Sequence, residues 1–123
     1  MTARTGNKFH AKKVEVNGIK FDSQKEAARW QELKLLERAG EICELERQVR
    51  FLLIPKRKKA SSDEYENPVY YIADFSYWNC QHGIKTSRTV EDMKGLRKGA
   101  AYQVFVIKRK LMLERYGIEV KEI

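Results

Sequence analysis

The chain has 123 residues, 42% of them hydrophobic, enough for one domain with a modest core. Lys and Arg number 25 against 17 Asp and Glu, a net charge of +8, which points to a polyanionic partner and to nucleic acid before a membrane surface. No apolar run approaches the roughly 18–20 residues a membrane span needs, and the polar start Met1-Thr2-Ala3-Arg4 lacks the apolar stretch of a signal peptide.

Residues 1–13 are basic and polar and read as a flexible arm, with residues 14–123 as a single domain. Val14 to Phe21 alternates around Asn17-Gly18, the signature of a tight β-hairpin. Ser23-Gln24-Lys25-Glu26 fits a capping box and opens a helix over 24–39. Its apolar stripe is Ala27, Trp30, Leu33, Leu36 and Ala39, with Leu35 alongside, and Gly40 is its stop.

Residues 42–54 alternate as a strand that Pro55 ends, and Lys56 to Glu64 read as a charged loop. Val69 to Trp78 is nearly continuous in apolar and aromatic residues, as expected of a central strand covered on both faces. Residues 79–87 are expected to form a turn and 89–94 the returning strand. A second helix is predicted over 99–116 with Ala100, Val104, Ile107 and Leu111 as its buried stripe, followed by a strand at 118–123. Trp30 and the Tyr70, Tyr71, Tyr77, Trp78 group fit a core better than a base-stacking platform, and His82 is given no role. Cys43 and Cys80 are too far apart for a zinc knuckle and read as two reduced thiols of a cytoplasmic protein.

Asp74 interrupts the most apolar strand, and an unpaired buried carboxylate is costly. The next strand carries Asp92-Met93-Lys94, in which period two puts Asp92 and Lys94 on one face and Glu91 on the other. Across a hairpin, about 4.8 Å wide, Asp74 and Asp92 can face each other. Two such carboxylates need a proton or a cation between them, and oxygen ligands favour Mg²⁺ or Mn²⁺ over zinc. Acid-x-Lys also occurs at Glu32 to Lys34 and Glu119 to Lys121, but only the middle copy follows an acid-bearing strand.

These residues and this element order resemble the PD-(D/E)xK nuclease superfamily. The pattern is similar to small bacteriophage proteins of unassigned function in that superfamily and to the nuclease subunit of certain cut-and-paste transposases. The resemblance implies an α/β, restriction-endonuclease-like core: helix, three strands, helix and strand, with a central mixed sheet flanked by helices, here preceded by an N-terminal β-hairpin. Glu26 matches the acid of the family's first helix, Asp74 that of the second core strand, and Asp92 with Lys94 the third motif. Ala73 stands where the motif's name has Pro. The capping box alone also explains Glu26, though the metal role is favoured, and either Glu91 or Asp92 could be the third acid, with spacing favouring Asp92.

The implied activity is Mg²⁺-dependent hydrolysis of DNA phosphodiester bonds, with Mn²⁺ as substitute. Glu26, Asp74, Asp92 and the Met93 carbonyl are the expected ligands, and Lys94 the group that orients water or neutralises phosphate. Lys56, Arg57, Lys58, Lys59, Arg97 and Lys98 are the expected DNA contacts, preferred over the Lys108-Arg109-Lys110 run. The expected setting is a phage protein in the host cytoplasm, cutting nonspecifically or by DNA structure, as a branched-DNA resolvase would. A resolvase of this size would need a homodimer to cut two strands, which the sequence does not show, and phage or host recombination and replication proteins are candidate partners. The competing readings are a non-catalytic nucleic-acid-binding module and a nuclease subunit active only within a larger complex.

Overall fold

The computed structural model describes residues 13–123. The expected arm therefore lies outside the described residues except for Lys13. The first elements are a hairpin, β1 (Val14–Val16) and β2 (Ile19–Phe21), whose turn residues Asn17 and Gly18 both have positive φ, at 50° and 83°. That backbone geometry matches the twist of the flanking strands and is the reason Asn-Gly is favoured there. Helix α1 (Gln24–Arg38) follows, and its N-cap Ser23 accepts a hydrogen bond from the Glu26 backbone N–H at 3.0 Å.

The long strands β3 (Ile42–Ile54) and β6 (Val69–Gln81) pair antiparallel. Between them, β4 (Arg57–Lys58) and β5 (Tyr65–Glu66) form a small two-stranded ribbon, so the segment expected to be a loop is partly paired. Strand β7 (Ile84–Asp92) returns from β6 through His82-Gly83, again with positive φ at both residues. The turn expected over 79–87 is thus only this tight bend, because Asn79 to Gln81 and Ile84 to Ser87 continue the ladder. Helix α2 (Ala100–Tyr116) leads to β8 (Lys121–Glu122), which pairs parallel to β7. The last strand is shorter than the expected 118–123, since Ile118 packs against the core instead.

The architecture is α/β: an N-terminal hairpin, two helices and a mixed four-stranded sheet of order β3-β6-β7-β8. Among the described residues no helix is long and apolar enough to cross a membrane. One core cluster joins Phe51, Leu53, Tyr71, Ala73 and Val90 to Phe105 and Met112 of α2. The other joins Ile42, Phe75 and Tyr77 to Leu33 of α1, with Trp30 against it. A strand of strict period two would put Tyr71, Ala73, Phe75 and Tyr77 on one face. Their division between the clusters means that β6 changes face at Asp74.

Both expected helix stripes need correction. On α1, Ala27 and Leu33 are buried, but Leu35 is 61% exposed and Leu36 and Ala39 also face solvent, because the face that meets the sheet runs through Ala27, Trp30, Leu33 and Glu37. On α2 the buried residues are Phe105 and Met112, seven apart, while Val104 and Ile107 are half or more exposed. The expected stripe was one residue out of phase, because the volume of Phe105, packed on Tyr71, sets the orientation of the helix.

Cys43 and Cys80 are joined by a disulfide rather than being two reduced thiols. They lie near the paired ends of β3 and β6, a proximity that their sequence separation of 37 hides. Thiol titration of the unfolded, unreduced chain is expected to find no free thiol; two would overturn the pairing.

Glu91 is fully buried and held from α1: Arg29 Nε and Nη2 donate to its two oxygens at 2.9 and 2.6 Å, and the Tyr77 hydroxyl also donates to it. Burial alone would raise this carboxyl, but the hydrogen bonds from Arg29 and Tyr77 hold it below its ordinary value. Breaking a buried pair from one side is far more damaging than replacing both partners. Arg29→Met is therefore expected to lower unfolding stability by about 3–5 kcal/mol in urea titration. The double variant Arg29→Met with Glu91→Leu should recover much of that loss, and equal losses in single and double variants would contradict the assignment.

Candidate active site

The change of face at Asp74 turns its carboxylate into a cleft between the sheet, the start of α1 and α2. The cleft has a volume of about 840 Å³, and Glu26, Asp74, Asp92, Met93 and Lys94 all line it. Asp74 is fixed from β7, whose Met93 N–H donates to its Oδ2 at 2.8 Å, with a long 3.4 Å contact from Gln48 to the other oxygen. Gln48 sits opposite on β3 with positive φ, a local irregularity at the same level of the sheet.

Asp92 points into this cleft, and Glu91 to the opposite face and Arg29, as period two requires. Asp92 Oδ2 accepts from the Tyr71 hydroxyl at 2.9 Å and lies 3.2 Å from Lys94 Nζ. The Lys94 ammonium also stands 4.0 Å from the centre of the Phe105 ring, so a cation–π contact helps to hold it. The backbone of this segment is clamped by the C-terminal strand. Ile123 N–H donates to the Asp92 carbonyl at 2.9 Å, and Lys94 N–H donates to the Ile123 carbonyl at 3.0 Å.

Glu26 is 4% exposed and its Oε2 has no hydrogen-bond partner. Ser23 still caps the Glu26 backbone, so this residue serves the helix with its main chain while its side chain lines the cleft. Burial, then the charges of Asp74 and Asp22, push the Glu26 carboxyl up to about 7, opposed in part by Arg47. Burial, then hydrogen bonding and repulsion from Asp92, push Asp74 up to about 7 as well. The carboxylates are thus crowded at the inner end of a cleft that Lys13, Lys25, Lys94 and Lys108 also line.

Among the described residues no three His, Cys, Asp or Glu side chains converge tightly enough to be a preformed metal cluster. The donor set still fits a hard divalent cation. All its side-chain donors are carboxylate oxygens, two of the acids are in contact, and the third ends in a buried oxygen without a partner.

The basic residues expected to touch DNA are not gathered at the cleft. Arg57 and Lys58 lie on the β4–β5 ribbon, with Lys58 near Asp63 at 3.4 Å, Lys59 near Glu64 at 3.6 Å and Lys56 over the Tyr65 ring. Arg97 donates to Glu122 at 3.2 Å, and Lys98 is exposed. The cleft is instead lined by Lys13, Lys25 and Lys108. Lys108 belongs to the run ranked below Arg97 and Lys98, since the phase of α2 could not be read correctly from its apolar residues. Tyr71, expected in the core, does place its ring there, but its hydroxyl also orients Asp92.

A family model described as "Protein of unknown function (DUF1064)" matches residues 6–122, and the chain belongs to that family. No curated protein and no solved structure matches it.

The raised carboxyls fix a pH dependence. Unfolded, Glu26 and Asp74 titrate near 4, so between about pH 4 and 7 the folded state binds more protons than the unfolded state. Their contribution to stability is complete below that window and is lost as pH rises through it. In EDTA the urea midpoint is expected to fall from pH 5 to pH 7.5, and Asp74→Asn should flatten that slope. A slope unchanged by the variant would contradict the burial of this charge.

Proposed function

We propose that this DUF1064 protein is a divalent-metal-dependent nuclease that hydrolyses DNA phosphodiester bonds, with Mg²⁺ as its ion and Mn²⁺ as a substitute. One observation carries the reading: the unpartnered, buried Glu26 Oε2 shares a cleft with the contacting Asp74–Asp92 pair and with Lys94. A structural acid has no need of such a neighbourhood, as Glu91 demonstrates on the other face with three donors of its own.

In this reading Glu26, Asp74, Asp92 and the Met93 carbonyl hold the ion. When bound, it lowers the pKa of water and offsets negative charge building on the phosphate. The protein's own groups do the positioning. The Met93 N–H fixes the Asp74 carboxylate, and the Tyr71 hydroxyl fixes that of Asp92. Burial and the charge of Asp92 push the Tyr71 hydroxyl well above its ordinary value, so it stays a donor at neutral pH. Lys94, held by Asp92 and Phe105, presents its positive charge where a phosphate oxygen or an attacking water would sit. Lys25 and Lys108 attract the polyanionic strand to the cleft.

The absence of a tight three-ligand cluster among the described residues favours a second reading, in which the chain binds nucleic acid or completes its site only within a larger complex.

The test is cleavage of labelled DNA with Mg²⁺, Mn²⁺ or EDTA, with wild type beside Asp74→Ala. Metal-dependent cutting is expected, reduced in the variant by at least about a hundredfold, the scale of losing one group that stabilises transition-state charge. Binding should change much less. No cutting by wild type with either metal would overturn the stand-alone nuclease and leave the second reading.

A further inference from the structure

Beside the acids, the cleft has a wall that a phosphodiester backbone alone does not explain. Ile72 of β6 is 52% exposed and lines the cleft. Tyr70 lines it as well, and the Arg50 guanidinium lies 4.0 Å from the centre of its ring, a cation–π contact that helps to hold the ring in place. Lys25 enters from α1 and Lys108 from α2, and among the described residues neither takes part in an ion pair.

We propose that the cleft receives an unpaired nucleotide of a DNA strand, with its base against Tyr70 and Ile72, which share one face of β6, and its flanking phosphates near Lys25 and Lys108. The inference rests on the nuclease reading for the class of ligand, and it names the form that ligand takes. An intact duplex keeps its bases stacked inside and presents charged phosphates and sugars. Set against Ile72 and the Tyr70 ring, those phosphates would lose hydration without gaining a polar partner. An unpaired base offers an apolar face, which aromatic side chains bind with little regard to sequence. Flaps, strand ends and branch points, where nucleotides are unpaired, are then the favoured places of attack.

The test is fluorescence anisotropy with the full chain in EDTA, which prevents cutting, at one fixed salt concentration. The probes are a labelled oligothymidine strand and an A·T duplex of the same length. The single strand should bind about tenfold more tightly, and Tyr70→Ala should remove most of that advantage while leaving duplex affinity nearly unchanged. Ile72→Thr keeps a β-branched residue at an exposed strand position, so it preserves the fold, and it should weaken single-strand binding in the same direction. Equal or tighter duplex binding, or single-strand affinity unchanged in both variants, would overturn the proposal. Adding Mg²⁺ to the same probes separates it from the nuclease reading. A single-strand preference without cutting sustains this inference and removes the enzyme, whereas cutting of duplex without any preference does the reverse.

Discussion

Negative charge buried at the end of β7 organises this molecule. Glu91 and Asp92 are adjacent in sequence and point to opposite faces of the sheet, and burying a carboxylate is costly unless something answers it. On the α1 face the answer is complete: Arg29 and Tyr77 saturate Glu91 and tie the helix to the sheet. On the other face it is partial. Tyr71 and Lys94 serve Asp92, but Asp74 stands against it and Glu26 adds a carboxyl oxygen with no partner. Because Glu26 and Arg29 lie one turn apart on α1, the ion pair that completes one face also sets the position of the acid on the other.

Much of this was legible in the sequence because it depends on local rules. The Asn17-Gly18 turn, the Ser23 cap, the Pro55 stop and the alternation that separates Glu91 from Asp92 each follow from the chemistry of a few neighbouring residues. The pairing of Asp74 with Asp92 also followed, since one hairpin joins their strands. What could not be read depends on distant partners. The phase of α2 is set by Phe105 against Tyr71, and no count of apolar residues along the helix contains that contact. The Cys43–Cys80 bond depends on the register of β3 with β6. The placement of Lys108 in the cleft follows from the phase of α2 and was lost with it.

Charge shows the same division between composition and placement. The most basic run, Lys56 to Lys59, folds into a ribbon whose own acids, Asp63 and Glu64, sit beside Lys58 and Lys59. Exposed pairs of this kind are weak and contribute little to stability. Beyond Lys94, the cations that line the cleft come from different elements, Lys25 from α1 and Lys108 from α2, and only folding brings them to one opening.

The change of face within β6 has a consequence for how this chain tolerates change. The two halves of the strand serve different packing units: Tyr71 and Ala73 belong with α2, Phe75 and Tyr77 with α1. Substitutions that repack one unit share few contacts with the other, and energetically independent sites combine by simple addition. Each half-core is therefore free to drift separately, while the seam residue, Asp74, answers to both. A lineage of such proteins could exchange most of its apolar residues on either side and still be held to one acid at the join.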